Sequence, residues 1–162
     1  MAASRPVTMA SQDAAPHGPR APSLRRRGAA ATVPATMQPR RRFPDDVVAA
    51  LRDGKALRIR AGIRPHRFIG IWVVVVEGRV FVRSWSLKRR SWWRTFLEEP
   101  RGAIQAAGRA IPVRAVRTSS ERLKNAVDRA YLEKYGTGAS LKYARDLGSA
   151  RSRATTTELV PI

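Results

Sequence analysis

Between Arg83 and Arg94 the chain reads Arg-Ser-Trp-Ser-Leu-Lys-Arg-Arg-Ser-Trp-Trp-Arg, so one connection carries five cations, three hydroxyls and three tryptophans. Cations and hydroxyls suit phosphate oxygens, and a helix starting nearby adds free backbone N–H donors. Indoles suit a flat heteroaromatic ring. Together these residue types point to a phosphorylated ring ligand. The same mixture has two other readings. Cations interleaved with aromatics also bind single-stranded nucleic acid. Alternatively, Trp92 and Trp93 are core, Trp85 packs across a sheet, and the cations are solvated.

Residue types for other chemistry are sparse. There is no Gly-Lys-Ser phosphate loop, no Gly-x-Gly-x-x-Gly and no Gly-x-Ser-x-Gly. The two histidines, His17 and His66, make no metal centre by themselves, and cysteine is absent, so thiolate metal sites and disulfides are excluded. The carboxylates are scattered, which leaves paired-carboxylate hydrolysis without a foundation. Any reaction here must be carried by a cofactor, with the protein supplying orientation and charge. No metal is expected.

The elements that position this connection follow from hydrophobic period. Ile71-Trp72-Val73-Val74-Val75-Val76 is apolar on both faces and predicts a central strand. Glu77-Gly78 predicts a tight turn, since glycine accepts positive φ. Arg79 to Trp85 then alternates: Val80, Val82 and Ser84 face one way, and Phe81, Arg83 and Trp85 the other. Arg83 and Trp85 thus present a charge and a stacking surface on one side. Ser91 to Glu99 predicts a short helix, stopped by Pro100.

Upstream, Pro44-Asp45-Asp46 opens a helix with carboxylates at its positive end. Val47, Val48 and Leu51 share its face, and Gly54 ends it. Leu57 and Ile59 alternate with Arg58 and Arg60, a half-buried strand. Downstream, Ala103–Ala107 and Ile111–Val116 predict a hairpin around Gly108-Arg109, with Pro112 marking an edge or bulge. Thr118 and Glu121 stand at capping-box spacing. Leu123, Ala126, Val127, Ala130 and Tyr131 form the stripe of the helix they open, which Gly136 and Gly138 end. Thr155 to Val160 reads as a closing strand. About six strands and two or three helices, mostly joined by hairpins, predict an α+β fold on a mostly antiparallel sheet curled into a barrel.

Residues 1–42 contrast with this. They hold six of the eleven prolines, eight arginines and one acidic residue, Asp13, with no hydrophobic period. Such a segment buries too little apolar surface to offset the entropy of ordering it, and predicts a disordered basic N-terminal arm before a domain over 43–162. The arm reads either as an electrostatic tether to nucleic acid or acidic lipid, or as a solvated tail. The tail is favoured.

The whole chain has 162 residues and a net charge of +20, of which the domain carries +13. A surplus that large usually signals an anionic partner. However, 27 of the 32 basic residues are Arg, a skew that a GC-rich genome also produces, so charge alone selects no partner. The longest uncharged apolar run, Ile69 to Val76, falls far short of the roughly 20 residues a membrane span needs. A cytoplasmic location is the default.

The segment Ile71 to Ser84, followed by Ser91-Trp92-Trp93-Arg94, resembles a bacterial family known as domain of unknown function 2255. Ala130-Tyr131-Leu132-Glu133-Lys134-Tyr135-Gly136 and the closing threonine-rich strand fit it too. That family is similar to the split β-barrel flavin-binding group, which includes pyridoxamine-phosphate oxidases and deazaflavin-dependent nitroreductases. Ser91 to Pro100 resembles the nitroreductases' Pro-x-Trp-Tyr-x-Asn-Leu-x-x-x-Pro segment, departing at Ser91 and Thr95. The resemblance implies a split β-barrel and a homodimer with the cofactor near the subunit interface. It also implies cofactor contacts from Arg83, Ser84, Lys88, Arg89 and Trp93, beside Trp85 on the strand face. The cofactor would be FMN or, favoured, a deazaflavin (coenzyme F-420 type), whose carboxylates suit the positive domain. Hydride transfer to a small organic acceptor would be the reaction. The alternatives are a basic nucleic-acid-binding module and a non-catalytic dimer with an empty cleft.

Overall fold

The computed structural model describes residues 41–162. Residues 1–40, nearly all of the basic arm, lie outside the described residues.

The chain enters at Phe43, a buried ring, and Pro44 caps the first helix, α1 (Asp45–Asp53). Asp45 and Asp46 occupy its first turn, and Val47 and Leu51 are its buried face, as the sequence predicts. Five strands and α2 follow: β1 (Leu57–Ala61), β2 (Ile69–Ile71), β3 (Val73–Val76), β4 (Arg79–Val82), α2 (Trp92–Glu98) and β5 (Arg101–Ala106). The rest of the chain forms β6 (Arg109–Arg117), α3 (Glu121–Tyr135), a 3-10 turn (Gly138–Ser140), α4 (Leu141–Leu147), α5 (Ala150–Arg153) and β7 (Thr157–Pro161).

All seven strands pair antiparallel in the order β2-β1-β5-β6-β7-β4-β3. The two ends of that order, β2 and β3, are consecutive in the chain, with only Trp72 between them. One continuous segment therefore leaves one margin of the sheet and joins the other, curling it into a nearly closed barrel. This corrects the reading of Ile71–Val76 as a central strand. The run breaks at Trp72, and β3 pairs on one side only, with β4. Its two apolar faces have another cause. Val73 points into the barrel core with Val80 and Val82, while Val74 and Phe81 lie outside it, under α3.

Two cores result. The barrel interior holds Leu57, Ile59, Ile104, Val113 and Leu159, closed off by Val47 and Leu51 of α1 and Phe96 of α2. The second core is the stripe of α3 (Leu123, Val127, Tyr131, Tyr135) against Val74 and Phe81, completed by Ala144 and Leu147 of α4. Gly102 of β5 allows α2 to seat. A Cβ there would lie 2.5 Å from Arg60 O and 2.8 Å from the Phe96 ring.

Both tight hairpins use positive φ at two residues, Glu77 (54°) with Gly78 (70°) and Ala107 (48°) with Gly108 (72°). That geometry matches the twist of the flanking strands. The second turn sits one residue earlier than predicted. Pro112 is not on an edge strand, because β6 lies between β5 and β7. It stands where the β6–β7 ladder runs out, and its carbonyl accepts the Ile162 N–H at 3.2 Å. Ser120, rather than Thr118, caps α3, its Oγ accepting from Leu123 N at 3.3 Å. Helices α4 and α5 are additional to the predicted set: 3.6-residue spacing is hard to read in elements of seven and four residues.

No helix among the described residues is long and apolar enough to cross a membrane.

Candidate functional site

Strand β4 ends at Val82, and the chain runs on through Arg83 and Ser84 to a bend at Trp85 before turning toward α2. Backbone and hydroxyl bonds hold this exit. Ser84 N donates to Thr155 Oγ1 (2.8 Å), and Ser84 Oγ donates to the Ser86 carbonyl (2.8 Å). Thr155 Oγ1 in turn donates to Ser152 O (2.7 Å). At the far end Ser91 N donates to Lys88 O (3.0 Å), and Ser91 Oγ caps α2 by accepting from Arg94 N (3.3 Å). The connection is thus pinned at both ends to secondary structure.

Arg83 is fully covered, its side chain showing 0 % exposure. Its Nε donates to Thr156 Oγ1 (2.9 Å), one terminal nitrogen to Leu147 O (2.8 Å) and to the Asp128 carboxylate, the other to Lys124 O (2.9 Å). Asp128 also receives Arg153, which reaches Glu121 at 2.8 Å. Burial pushes the Arg83 guanidinium down to about 10, well above neutral, so it remains a cation. The Tyr131 ring lies 5.8 Å from it, and burial pushes that phenol up. The guanidinium thereby ties β4 to α3, α4 and the approach to β7.

Beside this exit lies a cleft of about 410 Å³. Arg83, Ser84, Trp85 and Lys88 of the expected set line it, together with Trp72, Trp92 and Arg90. Arg89 and Trp93 do not. Trp93 is buried, its Nε1 hydrogen meets no acceptor, and Arg94 lies 5.3 Å from its ring. Successive helical residues point about 100° apart, so only one indole of the pair can face the cleft, and it is Trp92. The spacing of Trp92 to Phe96, an i, i+4 pair whose rings meet edge-on at 6.1 Å, is the signal in the sequence for that choice.

The cleft's aromatic wall comes from three places in the chain. Trp72, at the strand break, stacks on Tyr135 with centroids 4.1 Å apart and planes 3° from parallel. Trp85 stands 5.4 Å from Trp72 and 5.4 Å from Tyr143 of α4. Trp85 and Tyr143 remain 45 % and 47 % exposed, a contiguous ring surface beside the cleft. No sequence reading reached Trp72 or Tyr143, because both depend on barrel closure and on α4.

Among the described residues no carboxylate or histidine lines this cleft. Its side chains can bind, stack and neutralise negative charge; they offer no general base. Its donor set, Lys88 and Arg90 beside Trp72, Trp85 and Trp92, fits a phosphorylated flat ring, and the volume lies within the usual range of small-molecule sites. Among the described residues no group of three His, Cys, Asp or Glu gathers to hold a metal.

Comparison with known proteins adds the following. No curated protein matches the chain. The crystal structure of conserved hypothetical protein Rv2991 from Mycobacterium tuberculosis is similar to it at a TM-score of 0.48 and 11% identity, over 77% of this chain and 83% of that one. Residues 48–159, from α1 into β7, match a bacterial family model and so take in the whole cleft and all of both cores except Phe43 and Val47. The chain belongs to that family, the uncharacterized proteins conserved in bacteria designated DUF2255.

Proposed function

We propose that the cleft binds a phosphorylated flavin-type cofactor, a deazaflavin in preference to FMN. The observation that carries this reading is the meeting, in one cleft, of three indoles with two exposed cations, Lys88 and Arg90. Trp72, Trp85 and Trp92 would hold the ring system, and Lys88 and Arg90 the phosphate. Such a cofactor, when bound, supplies hydride transfer, here to a small organic acceptor. Arg83 would act from below, as a buried positive charge and as the tie that keeps Ser84 and Trp85 in place.

A homodimer belongs to the same proposal. The half-exposed rings of Trp85 and Tyr143 form an apolar surface that a second subunit would cover, beside the cofactor.

Titrating FMN and a deazaflavin into wild type and Lys88→Ala tests the site. A charge-assisted hydrogen bond contributes about 1.5–3 kcal/mol, so the variant is expected to bind about tenfold to a hundredfold more weakly with unchanged denaturation. Trp85→Ala is expected to lose affinity too, and its exposure makes unfolding a small concern. Absence of binding by folded wild type at high micromolar cofactor would end this proposal. Light scattering on the same samples is expected to give twice the chain mass of 18.0 kDa. A monomer that binds the cofactor tightly would remove the shared-interface part.

A further inference from the structure

A depression larger than the cleft lies elsewhere among the described residues. It is a groove of about 580 Å³ where β6 and β7 meet the start of α3 and the segment 41–43 that precedes α1. Four guanidiniums line it: Arg41, Arg42, Arg79 and Arg117. Its one carboxylate, Glu158, is held two-pronged by Arg79 at 2.9 and 2.6 Å, so those two charges largely offset each other. Among the described residues no carboxylate pairs with Arg41, Arg42 or Arg117, and all three are exposed.

Residues 41–162 hold 26 Lys and Arg against 11 Asp and Glu. Three like charges converge on one depression, where among the described residues no carboxylate pairs with them, a repulsion that an anion would relieve. The groove also offers the hydroxyls of Thr118 and Ser119, which meet no partner among the described residues, beside the positive end of the fifteen-residue α3. Guanidiniums match phosphate oxygens two at a time, hydroxyls complete the set, and no exposed ring is present to stack a base or flavin.

We propose that this groove binds phosphate groups, independently of the cleft beside Trp85. Phosphate is the chemistry shared by a nucleic-acid strand and a soluble phosphate ester, and recognition by arginines alone would be indifferent to base sequence.

Pyrophosphate titrated calorimetrically into the full chain at low salt is the direct test. Arg42→Gln and Arg117→Gln are each expected to bind about tenfold more weakly than wild type. Arg58→Gln, on a strand that does not line the groove, is expected to leave binding unchanged. The cleft proposal can fail without affecting this result, since neither Arg42 nor Arg117 lines the cleft. Three outcomes would overturn the groove: no binding by folded wild type at millimolar pyrophosphate, loss in Lys88→Ala with Arg117→Gln intact, or equal losses for Arg42→Gln, Arg58→Gln and Arg117→Gln. A labelled oligonucleotide of about twelve residues separates the two sources. Tighter binding than pyrophosphate, with a log–log salt slope that Arg117→Gln reduces by about 0.7, identifies a nucleic-acid strand. Binding no tighter than pyrophosphate, and equally sensitive to Arg117→Gln, identifies a soluble ester.

Discussion

Arg83→Ala is expected to lower the unfolding free energy by about 3–5 kcal/mol, the range for breaking a buried charged network. The loss does not come from a stranded carboxylate, because Asp128 keeps Arg153. It comes from four hydrogen bonds that join β4 to α3, α4 and the approach to β7, and from the space left beside the fully buried Tyr131. Leu147 O would lose the charged donor that now meets it under cover. Desolvation works in the opposite sense: removing a buried cation relieves the cost that holds the guanidinium down at about 10. Arg83→Met separates the contributions, since it restores most of the volume and none of the donors. It is expected to recover part of the loss. Urea denaturation followed by tryptophan fluorescence measures both variants. A midpoint for Arg83→Ala within experimental error of wild type would show that the network holds nothing together. The expected destabilisation means that Arg83→Ala cannot probe cofactor binding cleanly, whereas Lys88→Ala can.

Tyr135→Ala is expected to cost as much, about 3–5 kcal/mol, and Tyr135→Phe about 1–2 kcal/mol. The hydroxyl sits where the barrel closes. It accepts from Val73 N at 3.2 Å, at the first residue of β3, and donates to Lys55 O at 2.9 Å. Val73 N–H would otherwise be a buried orphan, since the strand break at Trp72 interrupts the ladder there. Burial raises the phenol, so it remains a donor across the working pH range. The ring itself stacks on Trp72, and the Lys134 ammonium lies 5.2 Å from its centroid while donating to Leu51 O and Val73 O. Phenylalanine keeps the stack and loses the hydroxyl; alanine loses both. The alanine variant should also shift Trp72 emission and weaken ligand binding in the cleft, because Trp72 loses its support. Equal costs for the two variants would mean that the ring contributes nothing, contrary to this account.

The local signals in the chain were legible because they are local. Two acidic residues after Pro44 mark the start of α1, Ser91 and Pro100 bracket α2, and alternation from Arg79 marks β4. Positive φ at Gly78 follows from a turn only two residues long. The connection from Arg83 to Trp93 was also legible as a concentration of charge and rings, since residue type and spacing need no tertiary contact.

What each residue of that connection faces was not. Arg83 reads in sequence as one more cation, yet the barrel carries it under α3 and α4, where protein acceptors separated from it by 41 to 73 positions surround it. Trp93 reads as the counterpart of Trp92, and the helical turn hides it while Trp92 opens on the cleft. The apolar run through Val76 fits a central strand equally well, since burial on both faces is all that periodicity reports. Only closure of the sheet across Trp72 places that run at both margins and brings Tyr135 and Trp85 to the same ring. By itself, then, the sequence determined the class of fold, the hairpins and the chemical character of the connection, all of which rest on neighbours a few residues apart. Tertiary structure decided which cations are spent inside and which remain free, because that depends on acceptors brought together from distant parts of the chain.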